Sequence, residues 1–259
     1  MNNQRPLILI SNDDSINAPG ILRLAECVPD YCDVIVVGPD APHSGQSSAI
    51  TVGTPLRITP RGSHGNAQLY AVNGSPVDCV KLALSKLVDR RPTLVLAGIN
   101  HGSNSACNVV YSGTMGAVLE GATVGITSCG FSITDHAMDV DFAPSMPFVS
   151  SIIEHLLANP LPAGICLNVN MPAGITPKGV RTCRAARAAW TDEYADYADY
   201  ADPFGRPFYW LTGRMVNHDA NASDTDEYWL NQGFITVVPV NVDMTAHNLI
   251  SQFSKDFDR

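Results

Sequence analysis

Three short runs of uninterrupted apolar character, Leu7-Ile8-Leu9-Ile10, Val34-Ile35-Val36-Val37 and Thr93 to Ala97, each empty into a polar or glycine-bearing loop. A strand that is apolar on both faces has to be covered on both faces, and crossover helices on a parallel sheet provide that cover. The segments between the runs carry the helical signal. Pro19 stands where a first-turn proline belongs, and Ile21, Leu22, Leu24 and Ala25 continue a 3.6-residue stripe up to Val28. Ser75-Pro76 opens a second helix with Val77, Val80, Leu84 and Leu87 on one side, and Pro92 stops it before the third run. The alternation continues with a small-residue helix Thr114–Ala122, a strand around Gly125–Cys129, a helix near Phe148–Leu157 and a strand Ile165–Val169. Further extended segments fall at Ala49–Ile58 and Leu69–Val72. The pattern predicts an α/β fold with a doubly wound, Rossmann-like, mostly parallel sheet whose last core strand ends close to Pro172.

From about Gly179 the periodicity fades. The repeat Tyr194-Ala195-Asp196-Tyr197-Ala198-Asp199-Tyr200-Ala201-Asp202 has period three, which suits neither helix nor strand amphipathicity, and reads as a solvated surface segment. Phe208-Tyr209-Trp210-Leu211 and Phe234-Ile235-Thr236-Val237-Val238 read as strands of a hairpin-type extension that mediates assembly. The expected division is a core over residues 5–190 and a C-terminal oligomerisation extension over 191–259.

Composition narrows the function classes. At 259 residues the chain buries a full core without disulfide or metal staples, and no run of 18 apolar residues is present to span a bilayer. Met1 to Pro6 leads straight into the first strand with no signal-peptide pattern, so the expected compartment is the cytoplasm and no membrane partner is expected. Seven scattered cysteines without a C-x-x-C pair read mostly as reduced core residues. A net charge of −9 argues against a nucleic-acid scaffold. An anionic small substrate then needs a locally reversed field, from a divalent cation or from helix N-termini.

Asp13 and Asp14 lie at the carboxyl end of the first strand, and Asn100 and Asn104 lie just past Thr93–Ala97. In a doubly wound sheet those two ends flank the crevice in which ligands bind. Two carboxylates with an amide carbonyl and a hydroxyl are hard oxygen ligands, suited to Mg2+, Mn2+ or Ca2+ rather than zinc. Taken alone, Asp13-Asp14 also reads as a helix cap or turn. The loop Pro39 to Ser48 opens on the same edge and brings hydroxyls, while His43 and His101 stand at no recognised spacing and read as ordinary loop histidines. Ser112-Gly113-Thr114 immediately precedes a helix, a position that is both a cap and an anion site.

Several blocks, in order, resemble the SurE survival-protein family: Ile10-Ser11-Asn12-Asp13-Asp14 with Ala18-Pro19-Gly20-Ile21, Pro39-Asp40 with Ser44-Gly45, Gly98-Ile99-Asn100-His101-Gly102 with Asn104, Tyr111-Ser112-Gly113-Thr114 with Glu120-Gly121, and Val242 to His247 near the end. The resemblance implies a metal-dependent phosphomonoesterase (5′-nucleotidase) acting on nucleoside 5′- and 3′-monophosphates. One divalent ion per subunit, Mg2+ or Mn2+, would be bound by Asp13, Asp14, Ser44 and Asn100, with Asp13 and Asp14 the catalytic carboxylates. Asn104, Ser112, Gly113 and Thr114 would take the phosphate. It also implies a homodimer or homotetramer with C-terminal elements exchanged between subunits. The chain departs from the family pattern at Ser15 and Ala106, where glycine is usual, and at Asn108, where aspartate is usual. A haloacid-dehalogenase-type phosphatase is set aside because Asp13-Asp14-Ser15 lacks a nucleophile and acid separated by one residue, and a dinucleotide dehydrogenase because no G-x-G-x-x-G follows Ile10. The alternative from another class is a sensor that uses the same metal site only to bind nucleotides.

Overall fold

The first apolar run becomes strand β1 (Leu7–Ser11), buried at every residue. The computed structural model describes residues 4–201 and 203–258 and builds a nine-stranded sheet around it. Helix α1 (Pro19–Glu26) turns Ile21 and Leu24 inward, and its proline occupies the first turn, where no backbone N–H bond is lost. β2 (Asp33–Pro39) pairs with β1 in parallel. β3 (Ile58–His64) and β4 (Ala67–Val72) form an antiparallel pair whose second member joins β2 in parallel. α2 (Pro76–Leu82) starts at a reciprocal capping box between Ser75 and Asp78 and runs on through a π-helical turn, Ala83–Leu87. The chain then returns to the other side of β1 as β5 (Leu94–His101), followed by α3 (Gly113–Thr123), β6 (Thr127–Ile133), α4 (Met146–Ala158) and β7 (Ile165–Met171).

The strand order β3-β4-β2-β1-β5-β6-β7 places the topological switch between β1 and β5. Crossovers from these two strands leave in opposite directions, which opens a crevice at their carboxyl ends. Side chains alternate across the sheet, so Ile8, Ile10, Leu94 and Leu96 pack with α1 and α4 on one face. Leu9, Val95 and Ala97 pack with α2 and α3 on the other. Both faces are covered, as the uninterrupted apolar runs require.

β5 and β6 extend past their apolar cores. β5 reaches His101 rather than stopping at Ala97, and β6 spans Thr127–Ile133, beyond the expected Gly125–Cys129. The added residues include polar ones, buried because the next strand and the crevice loops cover them, so an apolar-run reading ends too soon. In β6, Gly130 leaves room for the Met115 sulfur, which would lie 2.9 Å from an added Cβ.

The C-terminal third holds β8 (Val180–Thr182), β9 (Ala188–Thr191), β10 (Tyr194–Ala201), β11 (Pro207–Leu211), β12 (Arg214–Asn217), α5 (Asp226–Asn231), β13 (Ile235–Asn241) and α6 (Ile250–Phe257). Two expectations change here. Phe234 to Val238 does not supply a strand of an extension: β13 lies in the main sheet, antiparallel to β7, with β8 alongside in parallel. An apolar run of that length looks the same in a core sheet as in a hairpin, and only long-range pairing tells them apart. The Tyr-Ala-Asp repeat, read as a solvated segment without strand character, forms β10 and pairs antiparallel with β11. β11 is exposed at all of its residues, and a ribbon held by its backbone ladder needs no amphipathic alternation. Asp202, the last residue of the repeat, and residues 1–3 lie outside the described residues. β9 and β12 make a second antiparallel ribbon.

Candidate active site

At the end of β1 the Asn12 side chain donates 2.8 Å to the Ser15 carbonyl oxygen, closing a tight turn around Asp13 and Asp14. Ser15 adopts φ +93 and Ala106 φ +51. A positive φ at both places is a backbone conformation that glycine takes without strain.

Asp13 is 3% exposed. Its Oδ1 accepts a short hydrogen bond from the Thr114 hydroxyl, two residues into the α3 region. Gly113 presses on the same side chain: a Cβ there would stand 2.8 Å from Asp13 Cβ and 3.0 Å from Oδ2. Burial pushes the Asp13 carboxyl up to about 6; the Thr114 hydrogen bond opposes the shift and the Asp14 charge adds to it. A buried carboxylate in this state gains from a nearby cation.

Asp14 Oδ2 accepts from the His101 backbone N–H at 3.1 Å and meets His101 Nδ1 at 3.1 Å. The Asn100 amide nitrogen donates 2.7 Å to the Gly102 carbonyl oxygen, which leaves its own oxygen as the available ligand atom. The loop after β2 is tied down over this corner. His43 N–H donates 2.8 Å to the Asp13 carbonyl oxygen. The Ser47 hydroxyl donates 2.7 Å to Val110, and Ser47 N–H 3.0 Å to Tyr111. Ser44 is exposed between these two anchors.

Asp13, Gly113 and Thr114 therefore meet at the switch point beside Asp14, Asn100 precedes the His101 that bonds Asp14, and Ser44 follows the His43 whose N–H bonds the Asp13 carbonyl. Among the described residues no group of three or more His, Cys, Asp or Glu side chains is arranged to hold a metal. The two carboxylates, the Asn100 amide oxygen and the hydroxyl on the neighbouring loop are all hard oxygen donors, a chemistry that fits a hard divalent cation.

Ser112 is the cap of α3, its Oγ accepting from Met115 N–H at 3.0 Å. Asn104 is set back from the carboxylates. Its backbone N–H donates to Asn170 Oδ1 at 2.8 Å, its side-chain nitrogen to Ser132 Oγ at 2.7 Å, and its carbonyl accepts from Asn168 at 2.8 Å. Asn168 and Asn170 were not singled out by motif. Their signal is two buried amides at alternate positions of an apolar strand, which face one side and brace the loop. The other side of that loop is pinned by buried Asp226, whose Oδ2 accepts from Ala106 N–H and Oδ1 from Ala186 N–H, each at 2.8 Å. Asn108 accepts from Trp190 Nε1 at 2.8 Å. His101, read from spacing as an ordinary loop histidine, ends a buried strand in contact with Asp14.

Residues 8–192 match the family model described as Survival protein SurE. Among similar proteins, a "5'-nucleotidase SurE" of Christiangramia forsetii is 45% identical over 259 aligned residues, covering 98% of each chain. One of Phocaeicola vulgatus with the same name is 43% identical, covering 97% of each. The crystal structure of Sure Protein from Aquifex aeolicus superposes with a TM-score of 0.81 at 30% identity, covering 96% of this chain and 99% of that one. With the family model spanning well over half its length and relatives of this similarity along nearly all of it, the chain belongs to the SurE survival-protein family.

Proposed function

We propose that this chain is a 5′-nucleotidase that hydrolyses nucleoside 5′- and 3′-monophosphates to nucleoside and phosphate, using one divalent cation held by Asp13, Asp14, Ser44 and Asn100. The observation that carries the reading is the contact of the buried Asp13 side chain with the start of α3 at Gly113. A helix N-terminus favours an anion and a carboxylate repels one. A divalent cation held by the carboxylates would offset their charge and let the same corner take a phosphate. The relatives named 5'-nucleotidase SurE support the same reading.

When bound, Mg2+ or Mn2+ would offset phosphate charge, polarise a phosphoryl oxygen and make a water acidic enough to attack. The chain's own groups do the positioning. The backbone N–H groups that open α3 have no intrahelical partners: the one at Thr114 faces the Asp13 carboxyl, and the one at Gly113, with the helix dipole, favours an anion beside it. Ser112 Oγ accepts from Met115, so its own hydrogen is left to donate to a phosphate oxygen. The Thr114 hydroxyl is spent on Asp13, which makes it an orienting group for the carboxylate. One hydrogen of the Asn104 amide goes to Ser132 and the second remains for substrate.

Release of phosphate under multiple turnover tests the reading. Many equivalents released per subunit support an enzyme, and stoichiometric nucleotide binding without release leaves the sensor.

Assembly as a homodimer or homotetramer through the C-terminal region forms part of this proposal. Among the described residues α6 has none buried, with Ile250, Phe253 and Phe257 exposed on it, and β11 is exposed throughout. Apolar stripes of this kind ask for a partner surface. Light scattering at micromolar concentration giving a monomer mass would overturn it. Seven unpaired thiols suit a reducing compartment such as the cytoplasm, and no helix among the described residues is long and apolar enough to cross a membrane.

A further inference from the structure

We infer that His101 is a positioning residue for Asp14: it holds one carboxylate oxygen so that the other is turned to the cation. This rests on the metal assignment proposed above. His101 presents two donors to the same atom, its backbone N–H at 3.1 Å and its ring Nδ1 at 3.1 Å from Asp14 Oδ2. A carboxylate only accepts, so Nδ1 carries the hydrogen, and Oδ1 is the oxygen left for a ligand. The ring is itself fixed. Its side chain is 3% exposed, it packs edge-on against Phe142 with centroids 5.5 Å apart, and its Nε2 is buried without a hydrogen-bond partner.

An Nε2 without a partner has a consequence. A buried lone pair on Nε2 is tolerated better than an orphaned N–H, so the surroundings select the tautomer that donates from Nδ1. Groups that orient a metal-binding side chain typically change metal affinity by about 10- to 100-fold when removed. Here histidine does this for a carboxylate, on a strand end covered by Phe142, so the orientation is set by packing as well as by the hydrogen bond.

Two substitutions separate orientation from packing. His101→Asn places an amide N–H near the position of Nδ1 but loses the ring against Phe142. His101→Leu keeps apolar volume and loses the side-chain donor. The readout is Mn2+ affinity by calorimetry on the full chain, with urea unfolding alongside. We expect His101→Leu to bind Mn2+ about 10- to 100-fold more weakly with near wild-type stability, and His101→Asn to bind within about threefold of wild type while being less stable. The reverse order, or equal affinity in both variants, overturns the inference, because a residue that only fills the core would fail in proportion to lost volume. Should His101→Leu not fold, His101→Asn decides: affinity within about threefold supports the role and a tenfold loss refutes it. Asp14→Asn is measured beside them. Wild-type Mn2+ binding in that variant brings down the metal assignment and this inference together. A loss in Asp14→Asn with none in His101→Leu brings down this inference alone.

Discussion

Gly113→Ala puts the contact between α3 and Asp13 under direct test. The glycine begins the helix, where an alanine would ordinarily gain at most about 0.5–1 kcal/mol. Here the new methyl would stand 2.8 Å from Asp13 Cβ and 3.0 Å from Oδ2. Asp13 is buried, with its Oδ1 bound by Thr114, so its side chain cannot swing into solvent and the backbone or the carboxylate has to move. Overpacking of that kind costs roughly 1–3 kcal/mol, which set against the propensity gain leaves a net loss of up to about 2.5 kcal/mol. For a chain of this size each kcal/mol lost lowers the unfolding midpoint by roughly 2–4 °C. The effect on turnover is larger, because displacing a positioned group by a fraction of an ångström to an ångström costs about 100-fold in rate. Phosphate release from a nucleoside 5′-monophosphate, Mn2+ titration and thermal unfolding measure the three consequences. A variant more stable than wild type with kcat/KM within threefold would refute the packing of the helix start on the carboxylate.

Thr114→Val removes the donor on Asp13 and should weaken Mn2+ binding about tenfold, whereas Ser112→Ala should leave Mn2+ affinity unchanged and lower kcat/KM about tenfold, with about 1 kcal/mol of stability lost with the cap; calorimetry and steady-state kinetics separate the two, and equal Mn2+ affinities would contradict the division. Ser15→Gly should raise stability in urea by roughly 0.5–1 kcal/mol, because φ +93 lies outside the left-handed basin of ordinary residues, and Ala106→Gly should gain less at φ +51; a loss at both positions would count against the backbone assignment. The Arg187 and Arg184 guanidiniums hold the Asp219 carboxyl far below the ordinary carboxylate range. A depressed folded value contributes stability that is present above the unfolded pKa near 3.8 and is lost as pH falls through and below it. Asp219→Asn should therefore be less stable than wild type at neutral pH and lose stability less steeply below about pH 4, followed by thermal unfolding across acid pH; parallel curves would contradict the pairing.

What the residues disclosed in advance follows from which forces are local. β1, β2 and β5 are legible because a strand buried on both faces must be apolar throughout, and Asp13 and Asp14 stand out because they end such a run. The doubly wound order then brings Asn100 to them. Residues whose role comes from long-range pairing were not legible. β13 is an apolar run whose place beside β7 depends on a partner some 70 residues earlier in the chain. Asn100 and His101 belong to β5 although they are polar, because a site built at a strand end interrupts the hydrophobic pattern it sits on. The hydrogen bond from Thr114 to Asp13 joins residues 101 positions apart, and no cap or helix signal at Ser112-Gly113-Thr114 reveals it. Ser15 and Ala106 were visible as departures from a glycine pattern, but their backbone angles give the physical reason.

The most direct test of the central claim is hydrolysis of a nucleoside 5′-monophosphate by the full chain after chelation, after return of Mg2+ or Mn2+, and in Asp14→Asn. Two carboxylates on a chain of net charge −9 leave the cation to offset the charge of the phosphate. The expected result is no turnover in chelator, recovery on adding either metal, and a loss on the order of 1000-fold or more in Asp14→Asn with its unfolding midpoint retained. Full activity in metal-free buffer, or an Asp14→Asn variant within threefold of wild type, would contradict it.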